Sequence, residues 1–210
     1  MEDYLEKTIQ TYNNIVSKYV NAIRDRQPQS EFNDFCQSIA PGGLVLDAGC
    51  GGGRDCQAFV ERGFSVIGMD LSSKMLEIAR ASVKNCDFIQ ADLRKIPLDD
   101  DSVDGIWCCA SLLHLKHSEV PKALAEFRRI LKTKAVCCIL VKEGSGEEFV
   151  QDALSQGMQR FYSYFQEDEM CQLCLSLNFR ILGRRTAPEE GGRLPGRCDR
   201  RWICLFVQKI

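Results

Sequence analysis

From Leu44 onward, short apolar runs alternate with amphipathic stretches: LVLDA precedes DCQAFVERG, FSVIGMD precedes SSKMLEIARASV, and CDFIQ, GIWCCA, VPKALAEFRRIL and AVCCILVK continue the series. Runs that are apolar throughout need cover on both faces, and linking helices make successive strands parallel. The pattern therefore predicts an α/β chain: a doubly wound, mostly parallel sheet with helices on both faces. FRILGRRT and RWICLFVQK, with APEEGGRLPGRCD and no helix between them, add an antiparallel edge hairpin, for a seven-stranded sheet. Upstream, Leu5, Ile9, Tyr12, Ile15, Val16, Tyr19 and Ile23 repeat at helical spacing, 31–39 read as a second short helix, and 148–177 read as helical. At 210 residues one domain with a full core is expected, with no linker to divide it.

In such a sheet, ligands bind at the carboxyl ends of the strands, and the first strand-to-helix turn carries glycines. Here that turn lies in VLDAGCGGGRDC, Val45 to Cys56. A dinucleotide fingerprint, GxGxxG, needs glycine at 54, where Arg54 stands, so a dehydrogenase is disfavoured. The pattern found, Gly49, Gly51 and Gly53 behind Asp47, resembles motif I of the class I S-adenosylmethionine-dependent methyltransferases. Asp70 ends the second strand in GMDLS, where an acid suits two ribose hydroxyls, and Asp92 follows the third in CDFIQADLRKIPL. DDDSVDGIWCCASLLHL, then AEFRRILK, resembles the fourth-strand signature and following helix of the small-molecule and ubiquinone-biosynthesis type of these enzymes.

The resemblance covers about residues 40–142 and implies a Rossmann-like fold, S-adenosylmethionine as cofactor with S-adenosylhomocysteine as product, and methyl transfer by in-line displacement. Carried over by position, Gly49, Cys50, Gly51 and Gly53 line the methionine part, and Asp47 orients the loop or the ammonium. Asp70 with Leu71 holds the ribose, Asp92 with Leu93 the adenine, and Cys109 or Ala110 the ammonium through a carbonyl. Tyr12 and Tyr19 either close over the sulfonium and carboxylate or pack as buried helix aromatics. His114 is the candidate base, or a loop cap; His117 reads as an exposed helix-entry residue. The implied organisation is a helical lid over 1–40, a cofactor-binding core over 41–142, a helical substrate cap over 143–177 and a strand pair over 178–210.

Phe161, Tyr162, Tyr164 and Phe165 form either an acceptor wall or the packing face of a lid. No NPPY motif follows the fourth strand, where CASL stands, which argues against nucleobase and glutamine N-methylation. The acceptor expected is a small molecule, and the chemistry methylated stays open. A net charge of −2 offers no bulk basic field for nucleic acid, which is disfavoured as a partner while a local basic cluster stays open. Arg193, Arg197, Arg200 and Arg201 could read an anionic acceptor group but are diluted by Glu189, Glu190 and Asp199. The twelve cysteines sit in apolar runs and read as core residues, Cys171 and Cys174 included, with no metal site expected. No apolar segment reaches membrane length and no signal peptide is evident, so a cytoplasmic protein is expected. Two alternatives remain: a catalytically silent cofactor-binding scaffold or regulator, and an arsenite methyltransferase, which Cys56 matches at one position.

Overall fold

The computed structural model describes residues 2–188 and 201–210. Helices α1 (Asp3–Ile23) and α2 (Gln29–Gln37) precede β1 (Leu44–Ala48), α3 (Arg54–Glu61), β2 (Ser65–Asp70), α4 (Ser73–Ser82) and β3 (Asp87–Gln90). After β4 (Val103–Cys109) come a 3-10 turn (Leu112–His114), α5 (Val120–Ile130), β5 (Leu131–Lys142), β6 (Glu147–Val150), β7 (Arg160–Ser163), α6 (Glu167–Ser176), β8 (Phe179–Pro188) and β9 (Arg201–Lys209).

The main sheet has seven strands in the order β3-β2-β1-β4-β5-β9-β8. Neighbours from β3 to β5 pair parallel, while β9 runs antiparallel to both β5 and β8. This is the doubly wound sheet with an edge hairpin that the alternation predicts. Chain order reverses on either side of β1, so connections leave in opposite directions and open a crevice at its carboxyl end.

Successive strand residues feed two separate layers, as a pleated strand requires. On one face Val45, Trp107, Cys138 and Leu140 pack with Phe32 and Phe35 of α2, Phe59 of α3 and Leu76 of α4. On the other, Leu46, Ile106, Cys108 and Ile139 meet Leu124 and Phe127 of α5 and Met170 and Cys174 of α6. The cysteines in these strands act as small hydrophobes, and Cys171 and Cys174 are buried on α6. Ser72, next to Asp70, caps α4 by accepting from Met75 N–H at 3.1 Å.

The helical reading of 148–177 is corrected. Only Glu167–Ser176 is helical; β6 and β7 form a separate two-stranded antiparallel sheet before it. The aromatic run suits a strand, and α1 makes the strand hold. Thr11 donates its hydroxyl to the Gln159 carbonyl at 2.6 Å, and Phe161 N–H donates to the Thr8 hydroxyl at 3.0 Å, so backbone groups of this segment have partners outside it. Of the C-terminal arginines, Arg193, Arg197 and Arg200 lie outside the described residues, as do Glu189, Glu190 and Asp199. Arg201 opens β9 and donates to the Thr186 carbonyl at 3.1 Å. Among the described residues no helix is long and apolar enough to cross a membrane.

Phe59 is fully buried, with ring centroids 4.4 Å from Phe32, 5.6 Å from Phe35 and 6.1 Å from Trp107. Phe59→Ala is expected to cost about 3–5 kcal/mol in urea unfolding with an unchanged slope. A loss under about 1 kcal/mol would contradict the packing described.

Candidate functional site

The glycine turn is folded back onto β2. Gly49 and Cys50 N–H groups both donate to the Met69 carbonyl, at 2.7 and 2.9 Å, and Gly51 N–H donates to Asp70 at 2.8 Å. Gly49 has φ +90°, and a Cβ there would lie 2.3 Å from that of Ser111, whose hydroxyl donates to the Ala48 carbonyl at 2.5 Å. Around Gly51 a Cβ would meet open space. Gly53 serves another purpose: its φ is +86°, and a Cβ would crowd Val83 at 2.9 Å and Ala79 at 3.2 Å, so it lets α3 approach α4.

Asp70 accepts from Gly51 N–H through one oxygen and from Ser72 N–H through the other, both at 2.8 Å. Burial pushes its carboxyl above the usual range, although these backbone bonds pull the other way. Each oxygen keeps a further acceptor position, so the fixed carboxylate suits a pair of hydroxyl donors.

A cavity of about 880 Å³ opens over this turn. Tyr12, Tyr19, Gly49, Cys50, Gly51, Asp70, Leu71, Asp92, Leu93, Cys109, Ala110 and His114 all line it. Residues from α1 and from the ends of β1, β2, β3 and β4 thus converge from distant parts of the chain. Ala110 holds a left-handed φ of +58° there, a conformation that a non-glycine residue adopts only under local constraint.

Asp47 and Gly53 are not among the lining residues. Asp47, 2% exposed, accepts from the Cys56 thiol at 3.1 Å beneath the turn. Burial, then the Asp55 charge, push its carboxyl well above the usual range. Cys56 is itself buried and away from the cavity, which removes the position on which an arsenic-binding thiol rested. Cys50 does line the cavity; a bond with Cys56 pulls its thiol down, but burial and Asp47 prevail and raise it to about 11. No group of three or more His, Cys, Asp or Glu side chains able to hold a metal ion occurs among the described residues.

Asp92 lines the cavity yet is engaged by Arg94. The guanidinium bonds both carboxylate oxygens, with Nη2 at 2.6 Å and Nε at 3.0 Å, and Arg94 N–H adds a bond at 2.8 Å. Burial would raise this carboxyl, but the Arg94 bonds and charge hold it below the usual range. Arg94 also bonds Glu2 at 3.0 Å and meets Glu119, to which the Tyr4 hydroxyl donates. The start of α1 is thereby clamped to the Asp92 end of the cavity. Its far end is clamped too: Arg54, paired with Asp55 at 2.7 and 2.8 Å, donates to the Arg26 carbonyl at 3.1 Å. Asp55 in turn accepts from Trp107 and Gln27, both at 2.9 Å. Sequence reasoning missed Arg94 and Arg160; the spacing Asp-x-Arg in ADLRK was a usable signal for the first.

His114 is oriented unambiguously. Its Nδ1 lies 2.7 Å from the Phe161 carbonyl, which can only accept, so Nδ1 carries the proton. Its Nε2, 2.9 Å away, then accepts from the Tyr12 hydroxyl, which itself accepts from Arg160 at 3.0 Å. Burial is the main cause of a lowered pKa; the Phe161 carbonyl opposes it, the Arg160 charge adds to it, and the ring falls to about 3. A neutral ring of such low basicity orients Tyr12 better than it abstracts a proton. His117 is partly exposed, stacks near Phe165 at 4.7 Å and bonds the Tyr164 carbonyl at 2.8 Å. Of the four insert aromatics only Tyr162 lines the cavity; Phe161 packs on Tyr4, and Phe165 joins the main core.

A family model described as a methyltransferase domain matches residues 45–134. That segment is similar to a methyltransferase domain. It is the family expected from the glycine turn and the fourth-strand signature. The chain is 33% identical over 119 residues to malonyl-[acyl-carrier protein] O-methyltransferase of Serratia marcescens, covering 57% of this chain and 46% of that protein. It spans about half the length of the curated relatives it matches. The methyltransferase fold extends beyond the matched segment. Burkholderia thailandensis 1,6-didemethyltoxoflavin-N1-methyltransferase, solved with S-adenosylhomocysteine and 1,6-didemethyltoxoflavin, superposes with TM-score 0.77 at 19% identity, covering 99% of this chain and 89% of that one. The [4+2]-cyclase SpnF superposes with TM-score 0.70 at 17% identity over 95% and 94% of the two chains.

His114 gives the site a pH signature. Below about pH 6.5 the ring protonates in the unfolded chain while the native ring stays neutral down to about 3. Stability is therefore lost as pH falls through that window. In thermal unfolding between about pH 7.5 and 5, His114→Gln is expected to lose less stability than the native chain. A steeper decline in the variant would contradict the neutral, buried ring.

Proposed function

We propose that this chain is an S-adenosylmethionine-dependent methyltransferase acting on a small-molecule acceptor. The observation that carries the reading is Asp70, each oxygen braced by a backbone N–H, at the carboxyl end of β2 and beside Gly49 and Gly51 in one cavity. The residues fit the cofactor: a carboxylate with open acceptor positions for ribose hydroxyls, and a turn whose backbone is bare at Gly51. Leu71 and Leu93 offer apolar surface for the adenine. The Asp92 carboxylate, already bonded to Arg94, has limited capacity left for the amine. Cys109 and Ala110 present backbone to the ammonium.

When bound, S-adenosylmethionine supplies a sulfonium methyl with a good leaving group. The chain then contributes alignment and exclusion of water, and holding reactants in a near-attack pose is worth about 7–11 kcal/mol in such reactions. Tyr12 and Tyr19, edge to face at 5.1 Å, line the cavity from α1, and His114 fixes the Tyr12 hydroxyl. A proton leaving the acceptor has no strongly basic imidazole to receive it, which favours acceptors that are already nucleophilic. Cavity size supports a small acceptor, since about 880 Å³ is at the upper end of ligand pockets and leaves room beside a cofactor. The substrate named for the Burkholderia enzyme is also a small molecule.

The competing reading, cofactor binding without methyl transfer, draws on the cyclase that shares the fold. Calorimetric titration with S-adenosylmethionine, S-adenosylhomocysteine and NAD is expected to show micromolar binding of the two sulfur ligands only, weakened at least tenfold in Asp70→Ala. Absence of binding to the folded chain would overturn the proposal. Binding without transfer of labelled methyl across an acceptor screen would favour the silent reading.

A further inference from the structure

The cavity reaches further across the sheet than the residues assigned to the cofactor. Beyond the end of β4 it is lined by Leu140 and Lys142 of β5 and by Trp202 and Cys204 of β9. Strand register sets these in a row: Cys109 stands opposite Leu140, Leu140 opposite Cys204, and Lys142 opposite Trp202. Two strand spacings make roughly 10 Å, so β9 stands that far from the β4 mouth, within reach of a small ring system. Cys109, Leu140, Cys204 and Trp202 share one apolar layer, and Trp202 also packs with Tyr162. The chain's two tryptophans are placed differently. Trp107, fully buried, donates its indole N–H to Asp55 at 2.9 Å. Trp202 is partly buried, with the Lys142 ammonium 4.9 Å from its ring centroid, and its indole N–H donates to no acceptor among the described residues. That N–H is not one of the buried unpartnered side-chain groups, which are the Nε atoms of Arg128 and Arg160, so it keeps accessible surface. An indole whose ring is covered usually places its N–H on a partner. Here the ring is packed into a cavity wall and its donor is left open.

We infer that the lobe over β5 and β9 is the acceptor site, and that it takes a flat aromatic molecule whose far edge carries a nitrogen or oxygen atom accepting a hydrogen bond from the Trp202 indole N–H. The inference rests on the methyltransferase reading above. Position separates the lobe from the cofactor end, since β1 and β4 stand between β2, which ends in Asp70, and β5. The lining sets the body of the molecule. Its floor is the apolar layer just described, and on its wall His114 and Tyr162 lie with ring centroids 5.0 Å apart and planes inclined by 32°, so a flat ring gains contact where a bulkier saturated one does not. The register sets its length. With the methylated atom at the β4 mouth, beside Cys109 and Ala110, the atom that meets Trp202 lies at the opposite end of one or two fused rings. An indole N–H is a neutral donor, so it reads a lone pair rather than a net charge.

The test uses protein whose tryptophans carry nitrogen-15, saturated with S-adenosylhomocysteine so that the cofactor end is filled, and three probes: 6-hydroxyquinoline, 2-naphthol and decahydro-2-naphthol. The first two share a shape and differ by one ring nitrogen at the end away from the hydroxyl; the third keeps the skeleton without its flatness. 6-Hydroxyquinoline is expected to bind at least about threefold tighter than 2-naphthol, and 2-naphthol at least about threefold tighter than the saturated alcohol, the measure of one neutral hydrogen bond and of one ring contact. Of the two indole N–H resonances, the one that vanishes in Trp202→Phe should move when 6-hydroxyquinoline binds, and that of Trp107 should stay. Trp202→Phe keeps a ring and removes the donor, so it should abolish the preference for 6-hydroxyquinoline over 2-naphthol while S-adenosylhomocysteine affinity changes less than about twofold. Equal binding of those two probes to the native chain, no binding of either, an unmoved Trp202 resonance, or tighter binding of the saturated alcohol overturns the inference. So does a larger loss of S-adenosylhomocysteine affinity in Trp202→Phe, since the indole would then serve the cofactor. Should Trp202→Phe fail to fold, the native series decides, with the Trp202 resonance assigned by the faster hydrogen exchange of its open N–H. Failure of S-adenosylhomocysteine to bind the native chain counts against the methyltransferase reading alone, and the probe series is then run without it.

Discussion

The closure of the glycine turn onto the end of β2 is the constraint on which the site depends. Two N–H groups converge on the Met69 carbonyl and a third reaches Asp70, so the backbone between β1 and α3 is pulled flat against the neighbouring strand. This works only because Gly49 has no Cβ to strike Ser111, and Ser111 is in turn tied to the Ala48 carbonyl. The same contacts aim Asp70. Residues of β1, β2 and β4 thus build one mouth, at the place where the strand order reverses.

A second layer of control comes from how α1 is held over that mouth. Arg94 bridges Asp92 to Glu2 at one end, and Arg54 with Asp55 anchors the carbonyls at the other. Thr8 and Thr11 fasten its middle to β7. Partly exposed ion pairs add little stability by themselves, but chains of bidentate bonds fix geometry. Between these ties Tyr12 and Tyr19 are directed into the cavity, and the Arg160–Tyr12–His114 chain sets the hydroxyl's direction. Helix α1 and the insert are in this sense a single wall.

The sheet was legible because its strands are apolar on both faces and its helices amphipathic, patterns that survive without tertiary information. So was the convergence of the glycine turn with the ends of β2 and β3, since that part of the cavity is built from short stretches at strand ends, GCGGG, GMDL and ADL, whose spacing is local. The insert was not legible. Its β6–β7 hairpin depends on hydroxyls of two α1 threonines more than a hundred residues away, and threonines on a helix read as polar surface. Of the two roles read for Asp47, orienting the loop or meeting the ammonium, the spacing could not choose, because only the pleat of β1 shows that the carboxylate turns into the layer containing Cys56. Arg160 was invisible because a lone arginine beside aromatics reads as a solvated residue until Asp152 and Tyr12 are placed around it.

The most direct measurement is a crystal structure of the chain with S-adenosylhomocysteine. Both ribose hydroxyls are expected on the Asp70 carboxylate, with the amino-acid part along Gly49–Gly51 and the adenine between Leu71 and Leu93. A ligand seated outside this cavity, or a ribose that does not touch Asp70, would contradict the assignment of the site.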